Sequence, residues 1–216
     1  MKNLVEVKNQ TNEKGEAKAS LFIYDAIGTW YGISAEEVSD AIKGMGNIQA
    51  LDVFINSPGG DVFEARAIVS NLKRLSALGV KTHAIVDGMC ASAATTIALG
   101  CDEVSMNEGT LFMIHEVATM TYGNKRDMRE CADLMEKIEQ DVVADYANKT
   151  GIDDETIIAM MEAETWMSAQ EAHEKGFVDS VIKAEPKKKK EGVDNTKQKS
   201  FVGVRNANRL KLLLAQ

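Results

Sequence analysis

Residues 50–61 read Ala-Leu-Asp-Val-Phe-Ile-Asn-Ser-Pro-Gly-Gly-Asp, an apolar run that leads into a tight turn. The run predicts a strand over residues 50–56, which the proline and the two glycines end. Asp61 and Glu64 then form a helix-capping pattern. The helix that follows carries apolar residues at helical spacing up to Gly79: Ala65, Ile68, Val69, Leu72 and Leu75. Strand, turn and helix in this order are the repeating unit of a parallel α/β sheet.

The rest of the chain repeats this alternation. Further strands are predicted over residues 19–24, 80–86, 102–106, 110–115 and 177–182. Ser34 and Glu37 cap a helix that ends near Gly44, a helix follows Ser92, and later helices span about 124–149, 153–161 and 168–175. Because strands alternate with helices, the predicted fold class is α/β with parallel βαβ units.

The predicted helix 124–149 has an apolar stripe flanked by charged residues. Its members recur at steps of three and four: Met128, Cys131, Met135, Ile138 and Val142. Two arrangements bury such a stripe: the helix packs on its own domain, or it projects and packs against another subunit. The sequence leaves both open.

Composition describes a globular protein with an uneven charge. The 216 residues suit one domain, 44% of them are hydrophobic, and the net charge is −8. Residues 184–216 carry +6 and residues 1–183 carry −14, and this acidic body argues against nucleic-acid binding. No apolar stretch approaches the roughly 18 residues that span a membrane, and the N-terminus does not resemble a secretory signal.

The sequence also argues against metals and cofactors. Cys90, Cys101 and Cys131 are odd in number and lack ligand spacing, which favours reduced thiols in a cytosolic compartment. Neither a phosphate-binding glycine loop nor a dinucleotide-binding motif is present. We therefore expect no cofactor.

These patterns divide the chain into three segments. Residues 1–183 are expected to form the folded domain, and residues 184–200 a basic, disordered linker with too few apolar residues to fold. Residues 201–216 form a short basic tail that contains leucines. The tail is expected either to fray or to form a short amphipathic helix on a partner.

Ser92 lies where a predicted strand turns through small residues into a helix. A serine hydroxyl becomes a nucleophile only when a neighbouring base removes its proton. At the start of a helix, the free backbone amide of Ala93 would point toward an oxyanion formed at Ser92. A serine in this position can equally be a simple helix N-cap.

Two further features complete a candidate hydrolytic site. His115 ends an apolar run, so it is expected at a strand end, where a neutral imidazole suits a general base. Gly59 and Gly60 let a substrate chain approach the backbone closely, and an amide of this pair can donate to an oxyanion. Each feature alone also has a structural explanation. His83 and His173 are not better placed as bases.

Taken in order, four motifs resemble those of the Clp protease proteolytic subunit. They are INSPGG at 55–60, GMCASA at 88–93, MIH at 113–115, and MSAQEA at 167–172 with GFVDS at 176–180. The resemblance covers about residues 17–183. It implies that Ser92 is the nucleophile, His115 the general base, and the amides of Gly60 and Ala93 the oxyanion hole. It also implies a crotonase-like spiral of ββα repeats, with helix 124–149 as a projecting handle between rings of subunits.

The resemblance places Glu164 at the position of the family's catalytic aspartate. Its longer side chain would have to reach His115 from a different backbone distance. The alternative is a two-residue Ser92–His115 pair, with Glu164 at the surface. The run Glu164-Thr165-Trp166 looks most like the phage-encoded, Clp-like head maturation (prohead) proteases, and the basic tail fits that subgroup as a packaging segment.

The expected function is therefore a self-compartmentalising serine endopeptidase that processes phage capsid or scaffold proteins without its own ATPase. Its expected partners are those protein substrates and further copies of itself, in a homo-oligomeric ring (heptamer or tetradecamer) in the host cytoplasm or the prohead interior. One alternative is the proteolytic subunit of an ATP-dependent Clp protease that works with an unfoldase. Others are a crotonase-like acyl-CoA enzyme and an inactive scaffold module. The Ser92–His115 pair argues against acyl-CoA chemistry, since those enzymes generally use carboxylates.

Overall fold

The computed structural model describes residues 7–11 and 17–183, and the predicted linker 184–200 and tail 201–216 lie outside the described residues. Within the described ranges the chain forms eight strands and six helices. The strands are β1 (Val7–Thr11), β2 (Ala17–Ile23), β3 (Ala50–Ser57), β4 (Lys81–Ala91), β5 (Glu103–Asn107), β6 (Leu111–Ile114), β7 (Thr165–Ser168) and β8 (Ser180–Ile182). The helices are α1 (Ala35–Gly44), α2 (Val62–Ala77), α3 (Ala93–Leu99), α4 (Lys125–Thr150), α5 (Asp154–Glu162) and α6 (Ala169–Glu174).

A largely parallel sheet runs through the domain in the order β1-β2-β3-β4-β5-β8. Only the β1–β2 pair at its edge is antiparallel, among the strands on this path. Strands β2, β3 and β4 are joined in register, with Leu21 beside Val53 and Val53 beside Ala84. The predicted α/β fold with parallel strands is confirmed.

The helical side of the sheet forms the core. Every second strand residue is fully buried there, because side chains alternate between the faces of a strand. Helices α2 and α3 supply the opposite wall. The largest members of this core include Leu21, Ile23, Leu51, Ile55, Ile68, Leu72 and Ile97.

Strand β4 joins two parts of the sheet. Its first half pairs with β5, and its last three residues pair with β6. Its register against β3 slips just before the end, where Asn56 Oδ1 accepts a hydrogen bond from Met89 N–H at 3.1 Å. A Cβ atom on Gly88 would lie 2.5 Å from the same oxygen, so any other residue there would displace the Asn56 side chain from this hydrogen bond. The sequence predicted β4 to end at residue 86, because Gly88 interrupts the apolar alternation; the strand instead continues to Ala91.

Capping residues define the helix starts, with one difference from the prediction. Ser34 and Glu37 form the expected capping box of α1. Asp61 caps α2 by accepting from the amides of the next turn, but Glu64 does not close a box. Its carboxylate instead accepts from Ala35 N–H at 2.6 Å and from the Thr29 hydroxyl at 2.9 Å. Glu64 therefore joins α2 to the start of α1.

Helix α4 divides into two parts. Val142, Val143 and Tyr146, near its C-terminal end, are buried against the domain. Toward its N-terminus Met128 is 40% exposed and Leu134 is 52% exposed. The apolar stripe thus packs on its own domain only at the C-terminal end of the helix. No helix among the described residues is long and apolar enough to cross a membrane.

The sequence analysis missed two strands, and β8 is three residues shorter than predicted. β1 lies at the sheet edge, and β7 pairs antiparallel with β6. A four-residue strand that ends in Ser168, itself the N-cap of α6, is too short to show alternation. β8 is limited to three residues, because Phe177 and Val178 are buried in the turn that precedes it.

Three polar side chains, those of Lys18, Asp52 and His83, interact on the sheet face opposite the helices. Lys18 Nζ lies 2.6 Å from Asp52 Oδ2, and His83 Nδ1 lies 3.7 Å from Asp52 Oδ1. Burial alone would raise the pKa of Asp52, but its hydrogen bonds to His83 and Lys18 and their charge outweigh burial and lower the pKa. The folded state therefore favours the ionised carboxylate.

Replacing Asp52 with asparagine is expected to lower the free energy of unfolding at pH 7 by about 1–2 kcal/mol, because Lys18 and His83 lose a charged partner. Because the folded pKa of Asp52 is the lower one, its contribution is complete above the ordinary value of 3.8 and is lost as the pH falls through the folded pKa. Urea unfolding of both proteins from pH 7 to pH 3 measures this. A difference that stays constant over that range would contradict the assignment.

Candidate active site

Ser92 occupies a strained turn between β4 and α3. Its φ of 54° and ψ of −130° lie in a region that non-glycine residues rarely adopt, at a cost of about 1–3 kcal/mol. Its N–H donates to the Met113 carbonyl at 2.9 Å. Ser92 precedes the first turn of α3, yet its side chain makes no capping hydrogen bond. The hydroxyl is therefore directed elsewhere, and the interpretation of Ser92 as a simple N-cap does not describe this geometry.

The Ser92 hydroxyl meets His115. Because the end of β4 pairs with β6, the residues that follow the two strands are brought together. His115 comes directly after β6, as predicted, and its Nε2 lies 2.7 Å from Ser92 Oγ. Both side chains are half-buried. A neutral imidazole at this distance can accept the hydroxyl proton.

The glycine pair packs behind and beside Ser92. Gly59 has φ +90°, and a Cβ atom there would lie 2.7 Å from Ser92 Cβ and 2.9 Å from Ala93 N. Its own N–H donates to Ser57 Oγ at 3.1 Å, so this amide is occupied. Gly60, at φ +144°, is held by a backbone bridge to Ile27. Among the described residues no acceptor is found for the Gly60 N–H.

A Gly59→Ala substitution is expected to lower the peptidase activity that the sequence predicts by about 10²-fold, while the protein still folds. The added methyl group would press on Ser92 Cβ and would require a left-handed backbone that alanine disfavours. Gly79→Ala is the matched control, because Gly79 has φ +88° but open space around it. Turnover of a fluorogenic peptide measures the effect, and equal activities of the two variants would contradict the proposed packing role.

A cleft of about 810 Å³ opens over this group. Ser92, His115, Gly60 and Ala93 all line it, so the structure brings four of the predicted site residues together. The opposite wall is the apolar stripe of α4 together with the loop after His115. Its members include Val117, Met120, Cys131, Leu134, Met135 and Ile138. The cleft is largely apolar on the α4 side.

Glu164 lies near His115 in register but makes a different contact. Ile114 pairs with Thr165 across β6 and β7, so Glu164 occupies the next position, beside His115. It is exposed, with φ 48°, and its Oε1 accepts from Trp166 Nε1 at 3.1 Å. Among residues 7–11 and 17–183, no hydrogen bond or ion pair joins His115 to a carboxylate. The structure thus shows the Ser92–His115 pair without a carboxylate bonded to it.

A second serine–histidine pair lies away from the cleft. His83 Nε2 is 2.7 Å from Ser105 Oγ, the same distance as in the first pair, and His83 also faces Asp52. Ser105 is only 2% exposed and lies within β5, where its backbone φ is not positive. The distance between the two atoms is therefore not enough for a nucleophile; the cleft and the strained turn distinguish Ser92.

Sequence reasoning missed two residues behind Ser92. The Thr95 hydroxyl donates to the Ser92 carbonyl at 2.6 Å, and Tyr146 OH lies 2.6 Å from Thr95 Oγ1. Burial raises the pKa of Tyr146, so its hydroxyl stays protonated. The available signal was weak: Tyr146 follows Val142 by four residues on the apolar stripe of α4.

The cysteines do not form a metal site or disulfide. All three are free, and no cluster of His, Cys, Asp or Glu in the described part of the chain could hold a metal ion. Burial raises the pKa of Cys101 to about 12 and raises that of Cys90 further. Cys131 is half-buried in the cleft wall.

Comparisons with known proteins agree with this geometry. A family model described as Clp protease matches residues 39–185. The ATP-dependent Clp protease proteolytic subunits of Streptococcus pneumoniae strains Hungary19A-6 and CGSP14 are each 32% identical over 134 residues, which is 60% of this chain and 67% of each relative. A mutant ClpP1 from Listeria monocytogenes has the same fold, with a TM-score of 0.67 and 24% identity over 77% of this chain and 92% of that one. The predicted Clp-like α/β fold is thereby confirmed, and the chain belongs to the Clp protease family.

Proposed function

We propose that this protein is a serine endopeptidase in which Ser92 is the nucleophile and His115 the general base. Membership of the Clp protease family implies peptidase activity. The observation that carries the serine mechanism is the 2.7 Å contact between Ser92 Oγ and His115 Nε2 on a strained turn that faces a cleft of about 810 Å³. No feature of the second pair, Ser105 and His83, offers substrate the same access.

The proposed reaction has two steps. His115 Nε2 takes the Ser92 proton while Oγ attacks the peptide carbonyl, and the oxyanion accepts hydrogen bonds from Gly60 N–H and Ala93 N–H. The C–N bond then breaks as His115 gives the proton to the leaving amine, which produces an acyl-enzyme. In the second step water attacks the acyl group by the same proton route and restores the Ser92 hydroxyl.

A fluorophosphonate probe tests the nucleophile. We expect one adduct per chain by intact mass, located on Ser92 by fragmentation of the tryptic peptide that spans residues 82–125. That peptide also contains Ser105, which serves as an internal control because it has the same distance to a histidine. Heat-unfolded protein should not react. An adduct on Ser105, or none on a preparation that cleaves peptides, would reject the assignment.

Glu164 is proposed as the carboxylate that orients His115 in the substrate complex. Its register position beside His115 supports this role. For it, the Glu164 carboxylate must give up the hydrogen bond from Trp166 and accept one from His115 instead. Glu164→Gln is then expected to lower kcat by about 10- to 100-fold, because a neutral amide stabilises the imidazolium less. Steady-state peptide cleavage measures it, with Glu162→Gln as the control. Unchanged kcat would leave a two-residue Ser92–His115 pair.

Self-assembly is part of the proposal. The Clp protease family forms homo-oligomeric rings, and several large apolar side chains of this chain are almost fully exposed. Trp30, Met120 and Tyr122 are each at least 95% exposed, which favours burial between copies. We propose a heptameric or tetradecameric ring, and native mass spectrometry would give its size. A monomer at micromolar concentration would contradict it.

The finer role that we propose is the maturation of phage capsid or scaffold proteins, inside the prohead or the host cytoplasm. The run Glu164-Thr165-Trp166 and the basic residues 184–216 support it. The second candidate is a subunit that works with an unfoldase, which the names of the S. pneumoniae relatives favour. These two roles differ in whether an ATPase is needed.

Two measurements separate the roles. A head-maturation protease should cleave capsid or scaffold protein without ATP, and deletion of residues 184–216 should reduce its incorporation into proheads. A degradative subunit should be retained by an immobilised hexameric unfoldase and should degrade folded substrates only with ATP. Retention by the unfoldase together with normal prohead incorporation of the truncated chain would reject the phage role.

A further inference from the structure

We propose that Thr95 and Tyr146 are positioning residues that fix the Ala93 N–H, one of the two proposed oxyanion donors, by holding the Ser92–Ala93 peptide plane. This inference rests on the proposed function, because the role exists only if Ser92 is acylated. It assigns a task to two buried hydroxyls, on α3 and α4, that bond to each other next to Ser92. Thr95 does not line the cleft; Tyr146 lines it, but its side chain is almost completely buried.

The direction of the hydrogen bonds follows from their chemistry. The Ser92 carbonyl oxygen can only accept, so the Thr95 hydroxyl, 2.6 Å away, donates its one hydrogen to it. Thr95 Oγ1 can then only accept from Tyr146 OH, which also lies at 2.6 Å. Tyr146 O–H therefore donates to Thr95 Oγ1, and the Thr95 hydroxyl donates to the Ser92 carbonyl.

The peptide plane carries this constraint to the oxyanion donor. The Ser92 carbonyl and the Ala93 N–H belong to one planar trans peptide, so a fixed carbonyl direction also fixes the N–H direction. The carbonyl accepts both Thr95 N–H at 2.9 Å and Thr95 Oγ1–H at 2.6 Å. These two bonds act on the peptide that follows a strained residue, where the turn would otherwise relax.

Tyr146, where this series of hydrogen bonds begins, is held in place by its packing. Tyr146 is 2% exposed, and its ring packs edge-on against Phe177 at a centroid distance of 5.7 Å. Phe177 in turn contacts Phe112 of β6, the strand that leads to His115, at 5.6 Å. Thr95 is fully buried. Tyr146 thus lies between the elements that carry the nucleophile and the base, and phenylalanine would preserve its packing.

The variants remove the hydroxyls while they keep shape. Tyr146→Phe is expected to lower kcat about threefold, and Thr95→Val about tenfold, with KM unchanged because each variant keeps the shape of the side chain and removes only a buried hydroxyl. Thr95→Ser keeps the hydroxyl and should retain wild-type kcat. The rate of fluorophosphonate labelling should fall in the same order, since that adduct uses the same oxyanion donors.

The double variant separates positioning from stability. Thr95→Val alone leaves a buried Tyr146 hydroxyl without a partner and lowers the urea midpoint; adding Tyr146→Phe removes that hydroxyl and should restore the midpoint. If both residues only stabilise the fold, kcat will recover with the midpoint, and the inference fails. We expect kcat to stay about tenfold low. Wild-type kcat in Thr95→Val would also overturn the inference, whereas an unlabelled wild-type protein would overturn the proposed function itself.

Discussion

Ser92→Ala is expected to lower peptide turnover by at least about 10⁴-fold and to abolish fluorophosphonate labelling. The variant removes the only atom that can form the acyl-enzyme, while the cleft and the proposed oxyanion amides stay in place. The fold should survive, because the Ser92 side chain makes no capping hydrogen bond and the backbone bond from Ser92 N–H to Met113 is kept. Alanine keeps the strained backbone of Ser92, so the urea midpoint should stay close to that of the wild type.

Ser105→Ala is the matched control. It removes a hydroxyl that lies at the same 2.7 Å from a histidine but is buried inside β5. We expect turnover within about twofold of wild type, together with a lower urea midpoint, because His83 and Ser180 lose a hydrogen-bond partner. The opposite pattern, an active Ser92→Ala and an inactive Ser105→Ala, would move the active site to the other face of the sheet.

His115→Ala is expected to lower turnover by about 10⁴-fold, because Ser92 then has no base within reach. The losses from Ser92→Ala and His115→Ala should not add. The double variant is expected to match either single variant, since the two residues act as one unit. Initial rates at saturating peptide, with native mass spectrometry to verify assembly, measure this.

His83→Ala separates the general base from a histidine that only supports the sheet. His83 contacts Asp52 and Ser105, so its loss should reduce stability and leave the labelling rate of Ser92 unchanged. If His115→Ala still reacted with the probe at a wild-type rate, His115 would not be the base.

Local sequence signals were sufficient for most of the fold. The capping boxes at Ser34 and Ser168 begin α1 and α6 where predicted, and the apolar run at residues 50–56 forms β3 as predicted. Such signals act over a few residues, so they survive without knowledge of the tertiary structure. The same locality explains the misses: Glu64 bonds to Ala35, 29 residues earlier in the chain, in place of its own helix cap.

The candidate site was predictable in its chemistry and less so in its support. Ser92, His115 and the glycine pair occur in one family's order, and the structure places Ser92, His115 and Gly60 around one cleft, with Gly59 packed against Ser92. The bond between Thr95 and Tyr146 spans 51 residues, and no sequence pattern pairs a helix-start threonine with a tyrosine on another helix. Strand register places Glu164 beside His115 but does not determine where its side chain points, and that side chain accepts a hydrogen bond from Trp166.

The two-part pairing of β4 makes the length of this strand critical for the candidate site. The first half of β4 pairs with β5, and its last three residues pair with β6, the strand that His115 follows. The length of β4 therefore sets the distance between these two pairings. A single-residue insertion or deletion between Gly88 and Ala91 would reverse which side chains face the core and would move Ser92 to the wrong side of the strand end. We therefore expect changes of length between Gly88 and Ala91 to disturb the candidate site more than most substitutions there, with Gly88 as the exception because an added Cβ would meet Asn56.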